Sequence, residues 1–405
     1  MKYINRELEI KIKKFLSEPE IIAILGIRQS GKSTLMRKIA DDLEQSGSKI
    51  NFLTFENVQL LNMFDKDIQT FISLHVQPYE YVFIDEVQYA ENSGKHLKLI
   101  FDTSTAKIII SGSSIIDITV KSLRYLVGRI LVFVLYPFSF REFLHAKDSN
   151  LPEIYDNASY GSPGSELLNT CLIEFLTYGG FPRVATSDDP EVKHSILENL
   201  YNLLLLRDIK DLFGLSDHYK VSKLIQLIAF QTGNQVNYNE LSKSCSVTLF
   251  EIKKYISILE KMFVIRQVKP WYSNKRTEIV KSPKFYFIDS GLMNFARTGL
   301  KFSPFDGALY EQFICSELLK KNIDFSYWRT KSGAEMDFVI TGAENIPIEI
   351  KSNLNNDSLS KSFVSFIQHY KPSKAYVLSN NFEGKRNIES ANVQFLPFIK
   401  SNRIL

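Results

Sequence analysis

Hydrophobic positions are arranged differently in successive parts of this chain, and each arrangement predicts its own kind of element. Over residues 1–20, Leu8, Ile12 and Phe15 recur near helical spacing, which predicts a helix. From Ile21 the pattern becomes short, unbroken apolar runs: Ile21–Leu25, a run around Asn51, Tyr81–Glu86 and Lys107–Ser111. Polar, helix-length segments separate them, the first being the amphipathic TLMRKIADDLEQ. Unbroken apolar strands alternating with helices predict a parallel sheet covered on both faces, over roughly residues 1–145.

Residues 164–215 read as helical throughout, with Leu203–Leu206 a dense apolar cluster. From about His218 to Ser290 come three helical stretches, then two strand-like runs, FVIRQV and KFYFID. Three helices followed by a hairpin is the order of a winged helix. Residues 306–405 read helix, strand, strand, strand, helix, strand. The expected domains are 1–145, a helical connector over 146–217, a winged helix over 218–295, and a small α/β domain over 296–405.

Composition narrows the class of protein. With 405 residues, 44% hydrophobic, 23% charged, and only 13 Pro and 18 Gly, the chain is neither fibrous nor disordered, and it has apolar material for more than one core. Three distant cysteines, Cys171, Cys245 and Cys315, form no metal or disulfide pattern, and a reducing compartment fits them. The charged N-terminus has no signal-like apolar core. The longest apolar stretch, near Ile130–Phe138, is broken by Pro137 and is far shorter than a membrane helix. A cytoplasmic protein with no membrane contact is expected.

Gly26-Ile27-Arg28-Gln29-Ser30-Gly31-Lys32-Ser33 matches GxxxxGK[ST] in full, between a predicted strand and a predicted helix. Two glycines let the backbone bend so that several N–H groups point inward, and the helix N-terminus adds partial positive charge. Lys32 is placed to reach the β- and γ-phosphates of ATP, and the Ser33 hydroxyl to bind magnesium. Gly26, Arg28, Gln29, Ser30, Gly31 and Thr34 complete the expected nucleotide contacts. At the end of a later apolar run, Asp85 is the candidate second holder of magnesium and Glu86 the group that orients the attacking water. The plainer alternative is that both acids cap the next helix. Ser111 and Ser113 are candidate γ-phosphate sensors, against a plain turn. Arg129 is a candidate arginine finger, in cis or from a neighbouring subunit, against a solvated side chain.

These segments, in this order, resemble the AAA+ ATPases of bacteria and archaea that carry a C-terminal domain of unknown function. GIRQSGKSTL resembles their phosphate loop and FIDEVQ their Walker B segment. SGSS, SLRYLVGR and YPFSFREF (Tyr136–Phe143), then FLTYGGFPRV (Phe175–Val184) and LLLRDIKDLF (Leu204–Phe213), continue the match over nearly the whole chain. Ser111 stands where threonine is usual. The resemblance implies a P-loop ATPase domain, a helical connector, a winged helix and a C-terminal α/β domain.

Two further constellations concern nucleic acid. Between Tyr219 and Asp289 there are twelve basic and five acidic side chains, a net of +7 in a chain of +4 overall. Such a local excess is the footprint of a nucleic-acid contact, with duplex DNA the expected partner. Lys253 and Lys254 would sit on the helix that enters the groove, and Lys275 and Arg276 at the hairpin tip. The bland alternative is a winged helix that packs on the ATPase domain and transmits its state. Within residues 327–351, Asp337 lies on one predicted strand, and Glu349 and Lys351 lie on one face of the next. A carboxylate pair binds magnesium and a neighbouring lysine stabilises charge at phosphorus. Glu311 on the preceding helix would complete the set, with Glu317 as the alternative. Glu-x-Lys alone is uninformative, since five glutamates in this chain begin one. In its strand context the pattern resembles the PD-(D/E)xK nuclease core, a fold that also serves non-catalytic roles.

The expected function is magnesium-dependent ATP hydrolysis that drives an action on DNA, including cutting at Asp337, Glu349 and Lys351. The alternative is an ATP-controlled switch that governs homo-oligomerisation or a protein partner. A small-molecule kinase fits less well, because no acceptor site is evident.

Overall fold

Five apolar residues in a row leave β1 (Ile21–Leu25) without a polar face, and all five are buried. Such a strand belongs inside a sheet rather than at its edge. It pairs in parallel with β4 (Lys107–Gly112) on one side and β5 (Ile130–Val134) on the other; beyond β4 come β3 (Tyr81–Asp85) and β2 (Ile50–Thr54), also parallel. The order is β2-β3-β4-β1-β5. One face packs Ile22, Ile24, Phe83 and Ile109 against Leu35, Met36 and Ile39 of the helix Lys32–Gln45, with Ile12 of the helix Glu7–Lys13 in the same cluster. Each such fully buried aliphatic side chain contributes roughly 1.5–3 kcal/mol.

The computed structural model describes residues 3–113, 123–157, 161–204, 218–271, 282–300 and 307–404. By its contacts the chain divides into two units. The first is Met1–Phe138 with Ser257–Val264, and the second is Ser139–Ile256 with Ile265–Leu405. The first division falls where Ser139 and Glu142 form a capping box that starts the helix Phe140–Lys147.

The helices His218–Phe230 and Tyr238–Cys245 of the second unit, then the helix Leu249–Lys261, whose residues from Ser257 on are assigned to the first unit, precede an antiparallel pair in the second unit, β6 (Ile265–Val268) and β7 (Lys284–Phe287). The helix Gly307–Lys320, buried on nearly every face, leads into a six-stranded sheet. Its order is β12 (Gly384–Ile388), β13 (Ala391–Pro397), β11 (Lys374–Ser379), β10 (Ile346–Ile350), β9 (Glu335–Ile340), β8 (Phe325–Arg329). β10, β11 and β13 run parallel, and the other pairings are antiparallel. The helix Lys361–Tyr370 covers one face, where Phe363, Phe366 and Ile367 meet Met336, Val339, Val377 and Phe395.

Three expectations change. The stretch 164–215 is not one helical run. Helices at Pro163–Tyr178, Pro182–Ala185 and Pro190–Leu203 are separated, because each proline opens a new helix and Gly179 takes a positive φ of 76°; residues 205–217 lie outside the described residues. The helix expected over 1–20 is confined to Glu7–Lys13. The C-terminal block has β12 and β13 beyond the expected strands. β12 reads GKRNI and is mostly exposed, so its sequence carries no apolar run to reveal it.

Candidate functional site

β1 ends at Leu25, and the chain turns there only because Gly26 has no side chain. A Cβ on Gly26 would lie 2.1 Å from the Leu135 carbonyl oxygen. Gln29 and Gly31 take positive φ values of 60° and 96°, and the helix begins at Lys32. The Lys32 ammonium donates to the carbonyls of Gly26 (3.0 Å) and Ile27 (3.1 Å) across the loop. The buried Ser30 hydroxyl has no hydrogen-bond partner. A glycine cradle, a helix N-terminus, a lysine across it and an orphaned hydroxyl together fit a polyphosphate. Arg28 and Ser33 are half-buried, and Gln29 and Thr34 are exposed.

The neighbouring strand ends carry the rest. Leu25 is level with Gly112 on β4, and Ile110 with Ile84 on β3, so Gly26, Ser111 and Asp85 occur at one edge of the sheet. The Ser111 hydroxyl donates to Asp85 and accepts the Glu86 backbone N–H at 3.1 Å. Glu86 takes a left-handed φ of 58°, a strained conformation of the kind stored at functional sites. The Gln88 amide donates to the Glu86 carboxylate and accepts the Ser113 N–H at 3.3 Å. Ser33 and Asp85 are the residues that would hold magnesium.

Arg129 is not brought to this edge. Its carbonyl accepts the N–H of Ile21, at the start of β1, and its side chain pairs with Asp102 at 3.0 Å. β1 separates it from the loop by about 13 Å, at roughly 3.3 Å per residue. A finger acting in cis is therefore corrected. A cleft of about 750 Å³ lies at this opposite edge, lined by Glu18, Tyr79, Glu80 and Lys107 among others, and contains none of the expected site residues. Burial pushes Lys107 down to about 8, while its ammonium donates to the Glu18 and Glu20 carbonyls.

In the second unit a carboxylate cluster forms around Glu311 and Asp337. The Tyr286 hydroxyl donates to Glu311 at 3.0 Å, and the Ile350 N–H donates to Asp337 at 2.7 Å. Lys351 pairs with Glu349 at 2.8 Å. Lys284 on β7, only 2% exposed, pairs with Glu335 at 2.5 Å. Burial, then the nearby Asp337 charge, raises Glu311 to about 8. Burial likewise raises Asp337. Burial by itself would lower Lys284, but Glu311, Asp337 and Glu335 hold it above its ordinary value.

Asp337 and Glu349, the residues expected to hold a second magnesium, are brought together, since the Glu349 charge acts on Asp337. Two lysines bring positive charge beside these acids, Lys284 paired with Glu335 and Lys351 with Glu349. Glu317 belongs elsewhere: both its carboxylate oxygens accept the Phe140 N–H at 3.2 Å. Tyr327 and Trp328 are buried, and Trp328 packs edge-on against Phe366.

Lys253 and Lys254 are exposed on the helix Leu249–Lys261. Lys275 and Arg276 lie outside the described residues. Sequence reasoning missed Arg6, Gln88, Lys284, Tyr286 and Glu335 as site neighbours. Alternation along β7 and β9 pairs Lys284 with Tyr286 and Glu335 with Asp337 on common faces, a signal that was there to be used. Arg6 had no such signal. Among the described residues no helix is long and apolar enough to cross a membrane.

Residues 18–144 match the profile of the AAA domain family. Residues 169–304 and 306–398 match two profiles each described as a domain of unknown function, DUF8612 and DUF4143. An uncharacterized protein of Haemophilus influenzae is 28% identical over 358 residues, 85% of this chain and 84% of that one. An uncharacterized protein of Methanocaldococcus jannaschii is 25% identical over 422 residues, 98% of this chain and 91% of that one. Among solved structures, the Walker-type ATPase PABY2304 of Pyrococcus abyssi aligns with a TM-score of 0.47 at 17% identity, over 73% of this chain and 96% of that one. AMPPCP-bound DnaA from Aquifex aeolicus aligns with a TM-score of 0.35 at 12% identity, over 64% and 90%. The chain thus carries an AAA-type ATPase domain, fused to a C-terminal region of unknown function.

Proposed function

We propose that this chain is a magnesium-dependent AAA ATPase whose nucleotide cycle drives an action on DNA. The observation that carries the reading is the alignment of three strand ends: Gly26 after β1, Ser111 on β4 and Asp85 on β3. In open parallel sheets, ligands bind outside the carboxyl ends of the strands. There Lys32 and the loop amides bind phosphates, Ser33 and Asp85 hold the metal, and Glu86 orients water. Ser111 ties Asp85 to the Glu86 backbone, so one hydroxyl keeps the metal acid and the water acid in fixed relation. The basic block with exposed Lys253 and Lys254 is the duplex contact, in the manner of a winged helix. The α/β domain that ends the chain has residue types of the PD-(D/E)xK core, and cleavage at Asp337, Glu349 and Lys351 is the narrowest part of the reading.

The test is ATP hydrolysis with magnesium, with and without duplex DNA, against Glu86→Gln. Hydrolysis that rises with DNA, and whose stimulation fades in salt and in Lys253→Ala/Lys254→Ala, is the expected result. Hydrolysis indifferent to DNA overturns the DNA half. No hydrolysis above the Glu86→Gln blank overturns the ATPase half. A second reading is an ATP-controlled switch that engages a protein partner. It is favoured by apolar side chains exposed in the same block: Phe250 at 77%, Tyr219 at 76% and Leu249 at 39%.

A further inference from the structure

We propose that Arg6 is a positioning residue of the phosphate loop. It orients the peptide between Ser30 and Gly31 so that an N–H of the loop faces the nucleotide phosphates. This inference rests on the nucleotide-binding reading of that loop. Arg6 is buried just before the helix Glu7–Lys13. One arm of its guanidinium donates to the Ser30 carbonyl at 2.8 Å, and another to the Tyr136 carbonyl at 2.7 Å. The guanidinium also lies over the Phe138 ring, 4.8 Å from its centroid. A buried charge is tolerated only when such partners replace water. A planar fork can serve two fixed carbonyls at once, which a single ammonium cannot match.

The consequence follows from peptide geometry. The structure contains no cis peptide among the described residues, so the Ser30 carbonyl and the Gly31 N–H point in opposite directions from one plane. Pinning that oxygen toward Arg6 turns the Gly31 N–H the other way. Gly31, at φ 96°, lacks the steric limits that would otherwise select one orientation, so the peptide needs an external restraint. Arg6 is itself held. The helix it precedes buries Ile12 with Leu35 and Met36, and Lys13 pairs with Asp42 of the loop's own helix at 2.9 Å. The loop is thus fixed at its base, where Gly26 abuts the Leu135 carbonyl, and near its end, where Arg6 ties Ser30 to the adjacent Tyr136.

The experiment measures equilibrium binding of a fluorescent ATP analogue and of ADP to the full chain, together with melting without nucleotide. Arg6→Met keeps an apolar stem over Phe138 and removes both donors. Arg6→Lys keeps the charge and one donor arm. The expected result is affinity about tenfold weaker in Arg6→Met and about threefold weaker in Arg6→Lys. Melting of Arg6→Lys stays near that of the wild type, and kcat at saturating ATP stays within twofold while KM rises. Affinity within a factor of 1.5 of wild type in both variants overturns the proposal. If Arg6→Met does not fold, unchanged affinity in Arg6→Lys overturns it alone. Lys32→Ala separates the two readings: a wild type that binds no better than Lys32→Ala refutes the nucleotide site itself and the proposal with it.

Discussion

A carboxyl group buried beside another carboxylate and an ammonium has a pH dependence that can be worked out in advance. Glu311 titrates at about 8 in the folded chain and near its ordinary 4.5 when unfolded. Between those values the folded state holds a proton that the unfolded state has released. Stability therefore falls as pH rises through this window, and is greatest below it. Melting of the second unit is expected to drop between pH 5 and pH 8.5. Glu311→Gln, which still accepts from Tyr286, is expected to flatten that drop by on the order of a few kcal/mol. Parallel stability curves for the two proteins would refute the assignment. Glu317, only six residues on, shows how residue type misleads without position. It is a buried glutamate on the same helix, yet its carboxyl oxygens accept the Phe140 N–H at the start of the helix Phe140–Lys147.

At the scale of elements, the phosphate loop illustrates local sequence and tertiary packing acting together. GxxxxGK[ST] between an apolar strand and an amphipathic helix was legible because strand, turn and helix each leave a short-range signature. The reason Gly26 must be glycine was not legible, since the Leu135 carbonyl that excludes a side chain lies more than a hundred residues away. Gly26→Ala is expected to displace the loop. Nucleotide binding should weaken at least tenfold and the first unit should lose several kcal/mol, of the kind overpacking imposes, as read by ligand titration and melting. Wild-type affinity in Gly26→Ala would show that the loop shifts at no cost. Other elements were hidden for complementary reasons. β12 is mostly exposed and carries no apolar run, and the breaks after Tyr178 and Ala185 interrupt a stretch whose composition is helical on both sides.

For the whole molecule, the boundaries of sequence families and of physical units do not coincide. The profile over residues 306–398 begins after β7, yet β7 supplies Lys284 and Tyr286 to the carboxylate cluster, and its Phe287 backbone exchanges hydrogen bonds with Gln312. Residues 269–271 also bond to Tyr327 of β8. A fragment of residues 306–405 would lose the Lys284 ammonium that faces Glu311, Asp337 and Glu335, and the Tyr286 hydroxyl that donates to Glu311. Removing one partner of a buried charge pair costs about 3–5 kcal/mol, a large part of a typical domain's stability. That fragment is expected to show no cooperative melting, whereas residues 139–405 should melt cooperatively. A fragment that melts like the longer piece would show that β7 is dispensable.

What the sequence determined by itself was whatever depends on neighbours along the chain. That includes the alternation of buried strands with helices, the phosphate loop, the acid pair Asp85 and Glu86, and the pairing of Glu349 with Lys351 across one strand face. Periodicity and short motifs express these directly. The tertiary structure alone decided which distant groups share a site: Arg6 on the phosphate loop, Ser111 between Asp85 and Glu86, Lys284 among the carboxylates, and Arg129 at the wrong edge of the sheet. Such groupings depend on strand order and register. In β2-β3-β4-β1-β5 the strand that carries the phosphate loop lies between β4 and β5, neither of which comes next to it in sequence, so no local pattern could have announced which residues would flank the loop.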